Sequence, residues 1–389
     1  MPSKNNNKPF SGNIGEWSEI YVFLKLLADG KLDAADANLN AIPSVYYPII
    51  KILRQEATIK KEFVINGSIK IIDGNSGKII LTIPISDFVQ KSQQLFANLK
   101  SASGRSFSFP QIETFLKSID VNSISKKGMK SDIKIVVHDL KTGMTPTLGF
   151  SIKSLVGGDS TLFNPAAGTN FIFKLTKPSG LSFNFKKFNI DTFNKTHKTK
   201  HSKIALRLAE LEQLKFKIKF EQIQSDNLQL NLKLIDSQLP EILAHIVYTK
   251  YKTSKSKLTD LISEIKKQNP LGFNTSKGHP FYEYKIRTFL TESALGMTPE
   301  AVWTGIYDAT GGIIIVKENG DLVCYHIYNK AEFQDYLVNN TKLDQASTSE
   351  DEKNPGNSKT VKPKPYKFGW VYEEKGELFI KLNLQIRFF

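Results

Sequence analysis

The chain has one cysteine, Cys324, in 389 residues. An intramolecular disulfide is therefore excluded, and a reducing cytoplasm is the expected setting. With 6 histidines scattered along the chain, a zinc module is excluded as well. No apolar run approaches the length of a membrane span, and Met1 to Phe10 is polar with no signal-peptide core. A cytoplasmic protein without a membrane partner is expected. Acidic residues are in short supply: 38 against 53 lysines and arginines, a net charge of +15. That excess suits a polyanion such as a phosphate backbone, although it carries no sequence information of its own. A genome that favours lysine codons would produce the same balance without any partner.

The length allows two or three domains, and 40% apolar residues in patterned segments indicate a globular α/β protein of mixed sheet type. IGEWSEIYVFLKLLADGK reads as a helix that is apolar on almost every side and stops at Asp29-Gly30. Its two acids, Glu16 and Glu19, share a face. Residues 41–85 read as strands, with hairpin turns at Asn66-Gly67 and Asp73-Gly74. Amphipathic helices are expected over Ser86 to Leu99 and Phe109 to Ser118, with the basic loop SASGRSF between them. The periodicity predicts a mainly helical region over residues 201–300, broken near Leu239-Pro240. Residues 301–389 change to β-hairpins, one turning at Glu318 to Asp321 and one at Lys375-Gly376, with a mobile loop over Ala346 to Lys364. Three segments are expected on this reading: 1–200, 201–300 and 301–389.

The chemistry is concentrated in SDIKIVVHDLKTGMTPTLGFSIKSLVGGDSTLFNPAAGTN. Strands over Ile133 to Leu140 and Thr147 to Leu155 flank a turn holding Gly143 and Pro146. Alternation puts Ser151 and Lys153 on one side of the second strand, and a hairpin would bring Asp132 beside them. A carboxylate able to hold a divalent metal, next to an ammonium, is what phosphodiester hydrolysis requires. The same spacing also arises as a solvated acid ahead of a strand and a lysine on an open sheet face. Lys126, Lys127 and Lys130 lie just upstream, as a solvated loop or as phosphate contacts beside the scissile bond.

Three blocks together, GEWSEIYVFLKLLADGKL, LGFSIKSLVGGDSTLFNPAAGTNFIFKL and LNLQIRF, resemble the HpaII-type restriction endonucleases of the PD-(D/E)xK nuclease superfamily. The resemblance implies a PD-(D/E)xK core, a helical middle and a β-rich C-terminal lobe with a role in recognition. It implies Mg²⁺-dependent cleavage of double-stranded DNA at a short site such as CCGG by a homodimer. Asp132 would be the metal-binding acid, Lys153 the water-positioning amine and the Ile152 carbonyl a further ligand. Ser151 stands where the family pattern has its second acid, so an acid from the first helix is expected to complete the site. Glu19 is preferred over Glu16. Asn164, Thr169, Asn170, Lys130 and Arg387 are the expected DNA contacts.

Two further features are read as structural. His197 and His201 sit at i,i+4 in NKTHKTKHSK without a flanking HExxH pattern, which makes a surface linker. His326, in an alternating strand, is expected to be a packing group. The departure at Ser151 leaves a non-catalytic basic DNA-binding protein as an alternative, and a repair or RNA-processing nuclease on the same core as another.

Overall fold

Asn13 opens the first helix with a reciprocal cap. Its side chain accepts the Glu16 amide at 3.0 Å while the Glu16 carboxylate takes the Asn13 amide at 2.8 Å. The helix, α1, runs Ile14–Asp29, and Gly30 ends it in the left-handed conformation, φ 68°. Trp17, Ile20, Tyr21, Val22, Phe23 and Leu24 are all buried, as a helix apolar around most of its circumference demands.

The computed structural model describes residues 9–56, 59–124, 131–164, 166–177, 190–196, 203–345 and 368–389. After α1 come strands β1 (Lys31–Ala35), β2 (Ala41–Glu56), β3 (Ile59–Asn66), β4 (Ser68–Asp73) and β5 (Ile79–Ile83). Helices α2 (Ile85–Ser101) and α3 (Pro110–Ser118) follow, then β6 (Ile133–Val137), β7 (Thr147–Ser154), β8 (Thr161–Phe163) and β9 (Asn170–Thr176). The middle of the chain holds α4 (Ile190–Thr196), α5 (Lys203–Gln213), β10 (Lys217–Ile223), α6 (Asp226–Ile235), α7 (Leu239–Thr253), α8 (Leu258–Gln268) and α9 (Phe281–Leu295). The rest comprises β11 (Gly312–Val316), β12 (Leu322–His326), α10 (Lys330–Asn339), β13 (Thr341–Leu343), β14 (Val371–Glu374), β15 (Glu377–Asn383) and β16 (Ile386–Phe388). The expected loop at Ala346 to Lys364, and His197 and His201, fall outside the described residues.

A nine-stranded sheet carries the molecule, in the order β1-β12-β11-β7-β6-β2-β3-β4-β5. β6 and β7 form the expected antiparallel hairpin, with Ile133 opposite Phe150. The first strand ends at Val137, sooner than its apolar run suggested. Asp139 turns the chain there by accepting the amides of Lys141 and Thr142, at 2.9 and 3.3 Å.

The turn at Glu318 to Asp321 joins β11 to β12, again as expected, but the hairpin does not stand in a lobe of its own. β11 runs parallel to β7, with Ile315 opposite Lys153. Two smaller sheets, β10-β9-β15-β14 and β13-β16-β8, likewise combine distant segments. All three sheets draw strands from both sides of the boundaries expected at residues 200 and 300, because strand pairing is not limited by sequence separation.

Two apolar cores flank the large sheet. Ile314, Val316 and Cys324 face the core built around α1, whereas Ile313, Ile315, Val323 and Tyr325 face the core of helices α5 to α10. β11 and β12 are thus covered on both faces, which is why they read as continuous apolar runs without alternation.

Candidate active site

Asp132 stands one residue ahead of β6. Its amide donates to the Phe150 carbonyl at 2.8 Å, and its Oδ2 accepts the Ile152 amide at 2.6 Å and the Ser151 hydroxyl at 3.2 Å. The hairpin register therefore fixes this carboxylate against the strand that carries Lys153. Ser151 is 2% exposed. It does not reach the open site as a ligand; its hydroxyl braces Asp132 instead.

A cleft of about 830 Å³ opens over these strands, and Asp132, Lys153, Glu16 and Glu19 all line it. The two α1 acids are not equivalent. Glu16 is engaged in the helix cap, while Glu19 sits deeper, where Asp132 and Arg54 share its surroundings. Burial pushes the Glu19 carboxyl up to about 8, with further upward pressure from the charges of Asp132 and Glu16; Arg54 and Lys153 act in the opposite sense. A half-buried carboxyl beside a second carboxylate is a place where added positive charge is stabilising.

Among the described residues no group of three or more His, Cys, Asp or Glu converges as a metal cage. Asp132 and Glu19 put two hard oxygen donors on the cleft, which Glu16 and Asp159 also line. One or two carboxylates, with water and substrate phosphate completing the shell, is the arrangement Mg²⁺ favours. The residues present fit such an ion.

The loop after β7 closes one side of the cleft. Gly157 has φ 80°, and a Cβ there would come within 2.2 Å of Ile14 Cδ1, so only glycine lets this loop lie on the start of α1. Asp159, beyond it, pairs with Lys342, as befits a surface acid. Arg387, on β16, also lines the cleft, with its Nε 3.3 Å from Asp344.

Asn164 is exposed, three residues beyond Thr161 on the cleft wall. Thr169 and Asn170 do not suit the DNA-contact role expected of them. They are 0% and 2% exposed, and Asn383 Nδ2 donates to Thr169 Oγ1 at 3.0 Å and to Asn170 Oδ1 at 2.8 Å. Asn170 in turn donates to Gln224 Oε1 at 2.8 Å. Lys130, with Lys126 and Lys127, lies outside the described residues. His326 is buried, as expected of a packing group, and stacks on Tyr47 with ring centroids 5.0 Å apart.

Two arginines were missed. Arg105 lines the cleft from the loop between α2 and α3. The basic character of SASGRSF was its signal. Arg54 borders the floor beside Glu19 and donates to the Ser123 carbonyl; a lone arginine in a long strand has no spacing that betrays it.

Residues 13–388 match the model of the HpaII restriction endonuclease family, and the chain belongs to that family. Among its relatives is the type II restriction enzyme HpaII of Haemophilus parainfluenzae, 43% identical over 383 residues that span 97% of this chain and 99% of the relative. No solved structure matches. No helix among the described residues is long and apolar enough to cross a membrane.

Proposed function

We propose that the chain is a type II restriction endonuclease that hydrolyses phosphodiester bonds of double-stranded DNA with Mg²⁺, on a PD-(D/E)xK-type core, in the cytoplasm. The observation that carries the reading is the placement of Asp132, Glu19 and Lys153 on one cleft in a member of this family.

Asp132 and Glu19 are the residues that would hold the cation, with the Ile152 carbonyl nearby. When bound, Mg²⁺ polarises the phosphate and lowers the pKa of a coordinated water. Lys153 orients the attacking water and balances the negative charge that grows on the phosphorus oxygens as the P–O bond breaks. Ser151 and the Ile152 amide keep the Asp132 carboxylate aimed during this step. Arg105, Arg387 and the N-terminal turn of α1 border the same space, where cationic groups and a helix N-terminus favour a DNA backbone. Lys130 and Asn164 are the proposed flanking contacts.

The target is a short GC-containing palindrome such as CCGG, cut by a homodimer. Arg387 supports this, as the type of side chain that reads guanine through two hydrogen bonds.

Phage DNA incubated with the protein and Mg²⁺, beside Asp132→Ala and Lys153→Ala, tests the reading. Discrete bands that disappear with both variants are expected. Absence of bands with the unaltered protein would remove the activity, and undiminished cutting by either variant would remove the site.

A further inference from the structure

Ser18 precedes Glu19 on α1 and lies one helical turn after Ile14, the residue against which Gly157 packs. It lines the cleft, yet it is 0% exposed and its Oγ has no hydrogen-bond partner. A serine within a helix normally bonds the carbonyl four residues back or faces water. Ser18 does neither. A hydroxyl left buried in this way is destabilising, so alanine would be the more stable choice for the empty fold. Ser160 Oγ, on the wall of the same cleft, is also buried without a partner. Two unsatisfied hydroxyls in one cleft point to oxygen-bearing ligands that complete them.

We propose that Ser18 is a positioning residue for the cation: its hydroxyl bonds to a water that enters with Mg²⁺ beside Glu19. The inference rests on the nuclease reading, and it assigns part of the site to a side chain that is neither acid nor amine. Groups just outside the coordination sphere characteristically alter metal affinity or activity by 10–100-fold when removed.

The test measures thermal unfolding of the full chain without metal and during titration with Mg²⁺ alone, followed by DNA cleavage across the same Mg²⁺ range. Ser18→Ala should unfold at the same or a higher temperature without metal. It should need about tenfold more Mg²⁺ to reach half of the metal-induced stabilisation, and about tenfold more for half-maximal cleavage. Ser18→Cys keeps nearly the same shape but is a weak donor, and it should track alanine. Wild-type Mg²⁺ midpoints in both variants would overturn the inference while leaving the nuclease intact. A large fall in metal-free stability would overturn it too, by showing that the hydroxyl has a partner within the protein. Lack of any Mg²⁺ response or cleavage in the unaltered chain would overturn the nuclease reading and the inference together.

Discussion

Residues 157–161 and residues 166–170 look alike on paper: each is short, polar and glycine-containing, and each follows a strand. The structure uses them in opposite ways. The first stretch borders the cleft, held open by a left-handed Gly157 seated on Ile14. The second runs into β9, which lies between β10 and β15, and its polar groups meet Asn383, directly across from Asn170 in the register. Small hydrogen-bonding residues in a loop thus indicate only that polar partners exist. Whether those partners are DNA or another strand depends on what the chain pairs with hundreds of residues later. The same lesson holds over a shorter span for Glu16 and Glu19, where one carboxylate is used by the helix and the other faces the cleft.

The sharpest break in these comparisons comes from the two acids. Glu19→Gln should reduce Mg²⁺-dependent cleavage at least ~100-fold, since it removes a proposed ligand. Glu16→Ala should cost about 1 kcal/mol through the lost cap and leave the cleavage rate within about threefold. Initial rates of DNA cutting beside urea unfolding curves separate the two, and equal loss of activity in both variants would erase the distinction.

A smaller effect is expected at the buried amide. Asn383→Ala removes donors to Ala166, Thr169 and Asn170 and should lower stability by about 1–3 kcal/mol in urea unfolding. DNA affinity of the folded protein should be unchanged; a selective loss of binding at constant stability would return this stretch to the DNA interface.

At neutral pH the smallest effect is that of His326, and it grows as the solution is acidified. Burial drives its pKa down from 6.5 to about 4, against the pull of Asp139. Above pH 6.5 the folded and unfolded chains are both neutral at this residue, and no stability depends on it. Between about 6.5 and 4 the unfolded chain takes up a proton that the folded one refuses, so stability falls with pH, by at most roughly 1.4 kcal/mol per unit. His326→Phe should flatten that part of the stability profile, and an unaltered slope would assign it to other groups.

Much of the local structure was legible from residue order. Helix α1 announced itself by its apolar circumference and its glycine stop, and the β6–β7 hairpin by β-branched runs around Gly143 and Pro146. That Asp132 and Lys153 would share one cleft was legible for the same reason, since a hairpin relates them locally. Glu19 became a candidate through family resemblance, because nothing in the spacing connects residue 19 with residue 132. The insertion of β11–β12 beside β7 was not legible at all. Its apolar runs fit any doubly covered strand pair, and only the assembled sheet names the neighbour.

That insertion has a consequence for how the protein becomes dangerous to DNA. Among the described residues, the strand bearing Lys153 takes its outer neighbour from residues 312–316, and Arg387 reaches the cleft from β16. A chain interrupted during synthesis leaves β7 with a bare edge and the opening over Asp132 without one of its walls. On the proposed reading, cleavage waits until residues 312–316 and Arg387 have joined the fold.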